Sequence, residues 1–120
     1  MFSVAKKIIR SFGHAFHGVR YAYRNDESFR LEVWGGPFFI FAGFLLWPLS
    51  FAEFLFLTLS YILILITELS NTALETAFKR LHPEHHELVG ASKDISSSAV
   101  LFAFVFAGTV VATLILERIL

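Results

Sequence analysis

The sequence predicts an all-α integral membrane protein in which one amphipathic helix lies on the membrane surface and three further helices cross it. Three observations carry that expectation. Of the 120 residues 56% are hydrophobic and 15 are Phe, with a mean hydropathy of +0.65; a soluble domain of this length could not bury so much apolar surface. The stretches 33–52, 54–67 and 95–116 carry no charged residue. The 10 Lys+Arg and 10 Asp+Glu cancel overall but are unevenly placed along the chain. The length allows one domain. The lack of Cys excludes a disulfide framework and a thiolate metal site, and a net charge of zero gives no case for a nucleic-acid partner.

The first element is predicted over 4–24. Val4, Ile8, Phe12, Phe16, Val19 and Tyr23 fall within an arc of about 120° at 100° per residue, with Lys6, Lys7, Arg10, His14, His17, Arg20 and Arg24 opposite. Such a helix buries its Phe side chains among acyl chains and offers its cations to anionic headgroups, so membrane lipids are its expected partners. Asn25-Asp26-Glu27-Ser28 ends it, with Asp26 or Ser28 as N-cap of the next helix.

The first span is expected over about 29–48, closed by Pro48. A very short outer hairpin, Trp47-Pro48-Leu49-Ser50, leads into a second span over about 51–80. The apolar stretch 54–67 is too short to cross alone, since a spanning helix needs roughly 20 residues. The second helix therefore continues inward through Glu68, a carboxylate that costs up to about 3 kcal/mol if central in the bilayer. The third span is expected over about 93–117, with Asp94 as a plausible N-cap. Its Ala99, Ala103 and Ala107 form a small-xxx-small seam suited to close helix packing. Nine of the ten basic residues lie before the uncharged stretch 33–52 or between the stretches 54–67 and 95–116. By the positive-inside rule the N-terminus and the 79–94 connection face the cytoplasm and the C-terminus lies outside.

The most informative stretch is Glu68-Leu69-Ser70-Asn71-Thr72-Ala73-Leu74-Glu75. Glu68, Asn71 and Glu75 share one helix face within about 60°, and Lys79 continues the stripe. Carboxylates in a membrane helix normally face a bundle interior or an aqueous cavity and do chemistry there. Two carboxylates with an amide between them suit a divalent cation with oxygen ligands, Mg²⁺ in particular, and one near apolar surface can act as a general base. The plainer reading is a Glu75–Lys79 helix pair with Glu68 hydrogen-bonded to its neighbours. The start of the third span adds Lys93, Asp94, Ser96, Ser97 and Ser98. His82-Pro83-Glu84-His85-His86-Glu87 lacks the HExxH order of a zinc helix and reads as a solvated loop. Neither GxxxxGK[ST] nor GxGxxG occurs, so a nucleotide would be held without a known soluble phosphate loop.

Glu68-Leu-Ser-Asn71-Thr-Ala-Leu-Glu75, followed by His86-Glu87-Leu-Val-Gly90-Ala-Ser-Lys93-Asp94 and Ser97-Ser98-Ala99-Val100, resembles the prokaryotic integral-membrane diacylglycerol kinase family, which includes the undecaprenol kinases. Gly13 to Arg20 and Asn25 to Arg30 resemble its surface helix and first-span entry. The resemblance implies a homotrimeric helical bundle in the bacterial inner membrane, with active sites shared between protomers at the cytoplasmic interface. It implies transfer of the γ-phosphate of ATP to a lipid hydroxyl, that of diacylglycerol first. Glu68 would be the catalytic base, with Ser97 beside it on the lipid side. Glu75 would hold Mg²⁺ together with Asp26, or with the adjacent Glu27. Asn71, His86, Lys93 and Asp94 match nucleotide-side residues, and Lys7 and Arg10 would supply cations to the phosphates.

One position departs from the family pattern: Lys79 stands where an Asp is usual. It can pair with a phosphate, pair with Glu75, or weaken nucleotide binding. Two other functions fit the bare sequence. A small proton-coupled carrier would use Glu68 for exchange, although it has no need of a basic roof or a Lys-Asp-Ser cluster. A catalytically silent scaffold would account for Lys79.

Overall fold

The computed structural model describes residues 2–81 and 87–120. These form five helices: α1 Phe2–Asn25, α2 Glu27–Trp34, α3 Gly36–Leu45, α4 Phe51–Leu81 and α5 Glu87–Ile119. The centre of the molecule is the antiparallel pair α4 and α5. Leu57 packs with Val110 and Leu114 near one end, and Ile64 with Ala103 and Ala107 farther along. Alanines four residues apart let the two backbones approach closely. Ala99, the third member of the expected seam, stays exposed. On α4 the buried positions are Leu57, Ser60, Ile64, Glu68, Asn71 and Thr72. Their spacing of three and four places them on one face, so the polar stripe is the inward continuation of the apolar packing stripe.

Both α4 and α5 are long and apolar enough to cross a bilayer, and only 22% of each apolar window is buried. Phe51, Phe54, Phe56, Leu101 and Phe102 all point outward. A soluble core helix hides such residues, whereas a helix facing acyl chains displays them.

The expected first span is divided into α2 and α3, and neither half alone is long enough to cross. The break follows from Gly35-Gly36-Pro37. Pro37 has no N–H to give to the carbonyl four residues earlier, which is that of Val33. The hydroxyl of Tyr61 on α4 replaces it, lying 3.0 Å from Val33 O and 3.1 Å from Glu32 O. Gly36 makes room for this contact, because a Cβ there would sit 2.9 Å from the Tyr61 hydroxyl. Gly36→Ala is therefore expected to cost about 1–3 kcal/mol, and markedly less in a Tyr61→Phe background. Thermal unfolding of the four proteins in detergent micelles checks this. Additive losses would show that the two residues do not compete for the same space.

The end of the bundle at the α3–α4 turn is tied by α5. Ser50 and Glu53 form a reciprocal capping box, Ser50 N donating to Glu53 Oε1 at 2.9 Å and Glu53 N to Ser50 Oγ at 3.1 Å. Arg118 binds the other Glu53 oxygen at 2.8 Å and also donates to the carbonyls of Leu46, Pro48 and Leu114. One guanidinium thus satisfies carbonyls freed where α3 ends at the cis Trp47–Pro48 turn. Arg118→Ala is expected to lower the thermal midpoint in detergent, with no change in any ligand affinity at the far end; an unchanged midpoint would refute the tie.

Two expectations are corrected. Asp94 is no N-cap, because α5 begins at Glu87 and Asp94 lies two turns inside it, its carbonyl accepting from Ser98 Oγ at 3.0 Å. Gly90 is the sole weak helix former between them, and one glycine costs only about 1 kcal/mol. The helix therefore runs on past the apolar stretch. Of the two cap candidates for α2, Asp26 takes the role in extended conformation (φ −119°, ψ 108°), accepting from Ser28 N at 2.9 Å.

Helix α1 meets the rest of the chain near its C-terminal end, where Ala22 is buried. Val4, Ile8, Phe12 and Phe16 remain exposed, Phe16 to 74%. Among the described residues this apolar stripe has no protein partner, as befits a helix lying on a membrane.

Candidate functional site

The site is built at the corner where α1 hands over to α2. Arg30 reaches back and donates to the last carbonyls of α1, Tyr23 O at 2.9 Å and Arg24 O at 3.4 Å. Trp34 Nε1 donates to the Tyr23 hydroxyl at 2.9 Å. These bonds hold α2 back along α1, and Phe29 fills the angle with 2% exposure. Asp26, the single residue between the helices, is thereby aimed at α4. One of its oxygens caps α2 and the other accepts a hydrogen bond from the Thr72 hydroxyl. Burial alone would raise the Asp26 carboxyl, but hydrogen bonds with Thr72 and Glu68 and from the amides of Phe29 and Ser28 outweigh it. The group is held below its ordinary value.

Glu68 is 4% exposed, and its carboxyl lies within hydrogen-bonding reach of both Asp26 and Glu32. Glu32, on α2, keeps one carboxyl oxygen buried with no partner. One turn farther along α4, Asn71 donates from Nδ2 to Glu75 Oε1 at 3.4 Å, while its own Oδ1 is buried and unpartnered. Three carboxylates from three different segments thus surround the inner end of the apolar core.

A cleft of about 430 Å³ opens onto this cluster. Asp26 lines it together with Tyr21 and Asn25 of α1 and Thr72, Glu75, Thr76, Lys79 and Arg80 of α4. An apolar groove of about 410 Å³ runs between α3 and α4, but no carboxylate, cation or imidazole lines it. The charged side chains gather in the polar cleft.

The structure brings together Asp26, Glu68, Asn71 and Glu75 of the residues singled out in the sequence. Glu27 is exposed and outside the cleft. Lys7 and Arg10 lie on the exposed part of α1, roughly 15–20 Å along the axis from Tyr21 at 1.5 Å per residue. Lys93 and Asp94 lie at about the level of Glu75 in the α4–α5 register, yet neither they nor Ser97 lines the cleft. His86 falls outside the described residues, as does most of the His82–Glu87 run. The Glu75–Lys79 pair is not formed: the one ion pair among the described residues is Arg118–Glu53, at the opposite end. Nor, among those residues, do three Asp, Glu or His side chains form a set able to hold a metal ion by themselves.

Sequence reading passed over Glu32 and Thr72. Glu32 stands one residue before the uncharged stretch, and no local motif includes it. The available signal was its spacing of three from Phe29 and four to Gly36, which puts it on the face turned toward α4.

A buried carboxylate has no place in a helix that merely anchors, so the site marks a polytopic helical membrane protein that works at the bilayer edge. Comparison with known proteins narrows that class. The chain belongs to the prokaryotic diacylglycerol kinase family, which it matches over residues 13–116. It is 33% identical over 102 residues to the diacylglycerol kinase of Escherichia coli K12, covering 84% of this chain and 82% of that protein. It is 32% identical over 109 residues to the Haemophilus influenzae diacylglycerol kinase, covering 86% of each. To the Synechocystis diacylglycerol kinase it is 36% identical over 118 residues, 98% of this chain and 67% of that one. The family is one of prokaryotic membrane kinases, and this chain is a lipid kinase by membership.

Proposed function

We propose that this chain transfers the γ-phosphate of ATP to the primary hydroxyl of diacylglycerol, giving phosphatidic acid and ADP. The observation that carries this reading is Glu68: a buried carboxylate on a helix long and apolar enough to cross a bilayer, within hydrogen-bonding reach of Asp26, which lines a cleft rich in charge. The nucleotide enters the cleft from the cytoplasmic side, and the lipid reaches Glu68 laterally from the bilayer. Glu68 takes the hydroxyl proton as that oxygen attacks the γ-phosphorus, and the bond to the β-phosphate oxygen breaks toward ADP. Little covalent work is asked of the protein, since phosphoryl transfer depends chiefly on positioning and charge neutralisation.

The oxygen donors lining the cleft and buried beside it suit Mg²⁺. Asp26 and Glu75 supply hard carboxylate oxygens, Asn71 an unpartnered amide oxygen, and a magnesium ion usually takes only one or two protein carboxylates beside substrate phosphates. Bound there, it would neutralise charge on the phosphates. Asp26 serves this role rather than Glu27, which lies outside the cleft. Lys7, Arg10, Lys93, Asp94 and Ser97 complete a site only from a neighbouring protomer, so we assign the working form to a homotrimer in the inner membrane, N-terminus cytoplasmic and C-terminus outside.

Purified protein incubated with Mg·ATP and dioleoylglycerol in mixed micelles should yield phosphatidic acid. Product from undecaprenol alone would move the assignment to a polyprenol kinase. No product from either lipid would leave the carrier or the scaffold.

A further inference from the structure

The cleft is lined by carboxylates and cations that form no ion pair with one another among the described residues. Asp26 is engaged by the Thr72 hydroxyl and the Ser28 amide, and Glu75 by the Asn71 amide. None of these donors is charged. Lys79 and Arg80 line the same cleft and form no ion pair among the described residues. Lys79 stands one turn beyond Glu75 and is exposed, so its ammonium is free to move on a long stem. Two carboxylates left to a metal, and two cations left to an anion, describe a site for a ligand carrying both.

Resting on the nucleotide reading above, we propose that Lys79 binds the terminal phosphate of the nucleoside triphosphate directly and sets the preference of this site for tri- over diphosphate. A single divalent ion neutralises only part of a triphosphate's charge. The excess sits at the terminal group, and a mobile ammonium one turn from Glu75, lining the same cleft as Asp26, meets it. A diphosphate carries less excess charge and gains less from the same contact. Lysine here also does work that a second metal ion would otherwise do. A carboxylate in its place would put a third acid on the stripe beside Glu75 and raise the need for divalent cation.

The plain alternative is that Lys79 and Arg80 merely complement the carbonyl end of α4, whose last turn they occupy. That role predicts a change in stability and none in nucleotide discrimination. Binding of Mg·ATP and Mg·ADP to the full chain in detergent micelles, measured calorimetrically without lipid acceptor, separates the two. Lys79→Met is expected to weaken Mg·ATP about tenfold or more, as for loss of one charge-assisted hydrogen bond. Mg·ADP should weaken less than about threefold, and Lys79→Arg should retain most of the Mg·ATP affinity. Equal loss for both nucleotides, or no loss for either, overturns the proposal. Wild-type protein that binds Mg·ATP with this preference but phosphorylates no lipid leaves Lys79 in its role and sinks the kinase reading alone. Lipid phosphorylation with unchanged affinities in Lys79→Met does the reverse, and a wild-type chain that binds neither nucleotide refutes both.

Discussion

Replacing Glu68 with Gln is expected to lower kcat for lipid phosphorylation by about 10²–10⁴-fold, the usual contribution of a positioned general base. The substitution keeps the shape and one hydrogen-bonding oxygen but removes the capacity to accept the proton. Glu68 does not itself line the cleft, whereas Asp26 and Thr72 do. The KM for Mg·ATP should therefore stay within about threefold, and the loss should lie almost wholly in kcat, the mark of an interaction made only in the transition state. Stability should hold or improve, because a neutral amide replaces a carboxyl packed against Asp26 and Glu32. Steady-state kinetics with a thermal midpoint for each protein checks both parts. Turnover within about tenfold of wild type would show that Glu68 is not the base. A loss confined to KM for Mg·ATP would place it on the nucleotide instead.

The second large effect is expected at Asp26, which does two jobs that two substitutions separate. Asp26→Asn keeps an oxygen for the Ser28 amide, and asparagine caps helices as well as aspartate does. The thermal midpoint should then move little, while the Mg²⁺ concentration needed for half-maximal activity rises by about 10–100-fold, at least the effect of disturbing a metal's supporting shell. Asp26→Ala loses the cap as well, costing about 1 kcal/mol more. Titration of activity against Mg²⁺ for both variants checks this. If neither shifts the Mg²⁺ requirement, Asp26 is a structural cap and Glu75 holds the metal without it. The depressed Asp26 carboxyl adds a sign for pH. Its stabilising contribution is fully present above the unfolded value of about 3.9 and is lost as pH falls through the still lower folded value.

The sequence made the long helices legible because their signals are local. Charge-free stretches near the length of a bilayer, the proline at 48 and the i, i+3, i+7 spacing of Glu68, Asn71 and Glu75 need no knowledge of neighbours. The break at Gly35 was harder to place. Glycine and proline are tolerated in spanning helices when another group satisfies the freed carbonyls, and here that group is the Tyr61 hydroxyl, far away in the chain. Asp94 was misread as a cap because composition marks the start of the apolar stretch, whereas the helix itself begins two turns earlier. Glu32 was missed for a related reason: a carboxylate at the edge of a span looks solvated until the helix that covers it is placed.

By itself the sequence determined that the protein is helical, that it belongs to a membrane, and that one face of its second long helix carries carboxylates. These follow from periodicity and hydropathy, which act over a few turns. Only the tertiary structure decided which acids meet. Asp26 and Glu68 are separated by more than forty residues and joined by the corner between α1 and α2. Glu27 is turned away, although it is the neighbour of Asp26 and equally acidic. The structure likewise decided that Lys79 faces an open cleft instead of pairing with Glu75. A side chain's neighbours across a fold depend on how helices cross and where they break, and no spacing within a single helix records that.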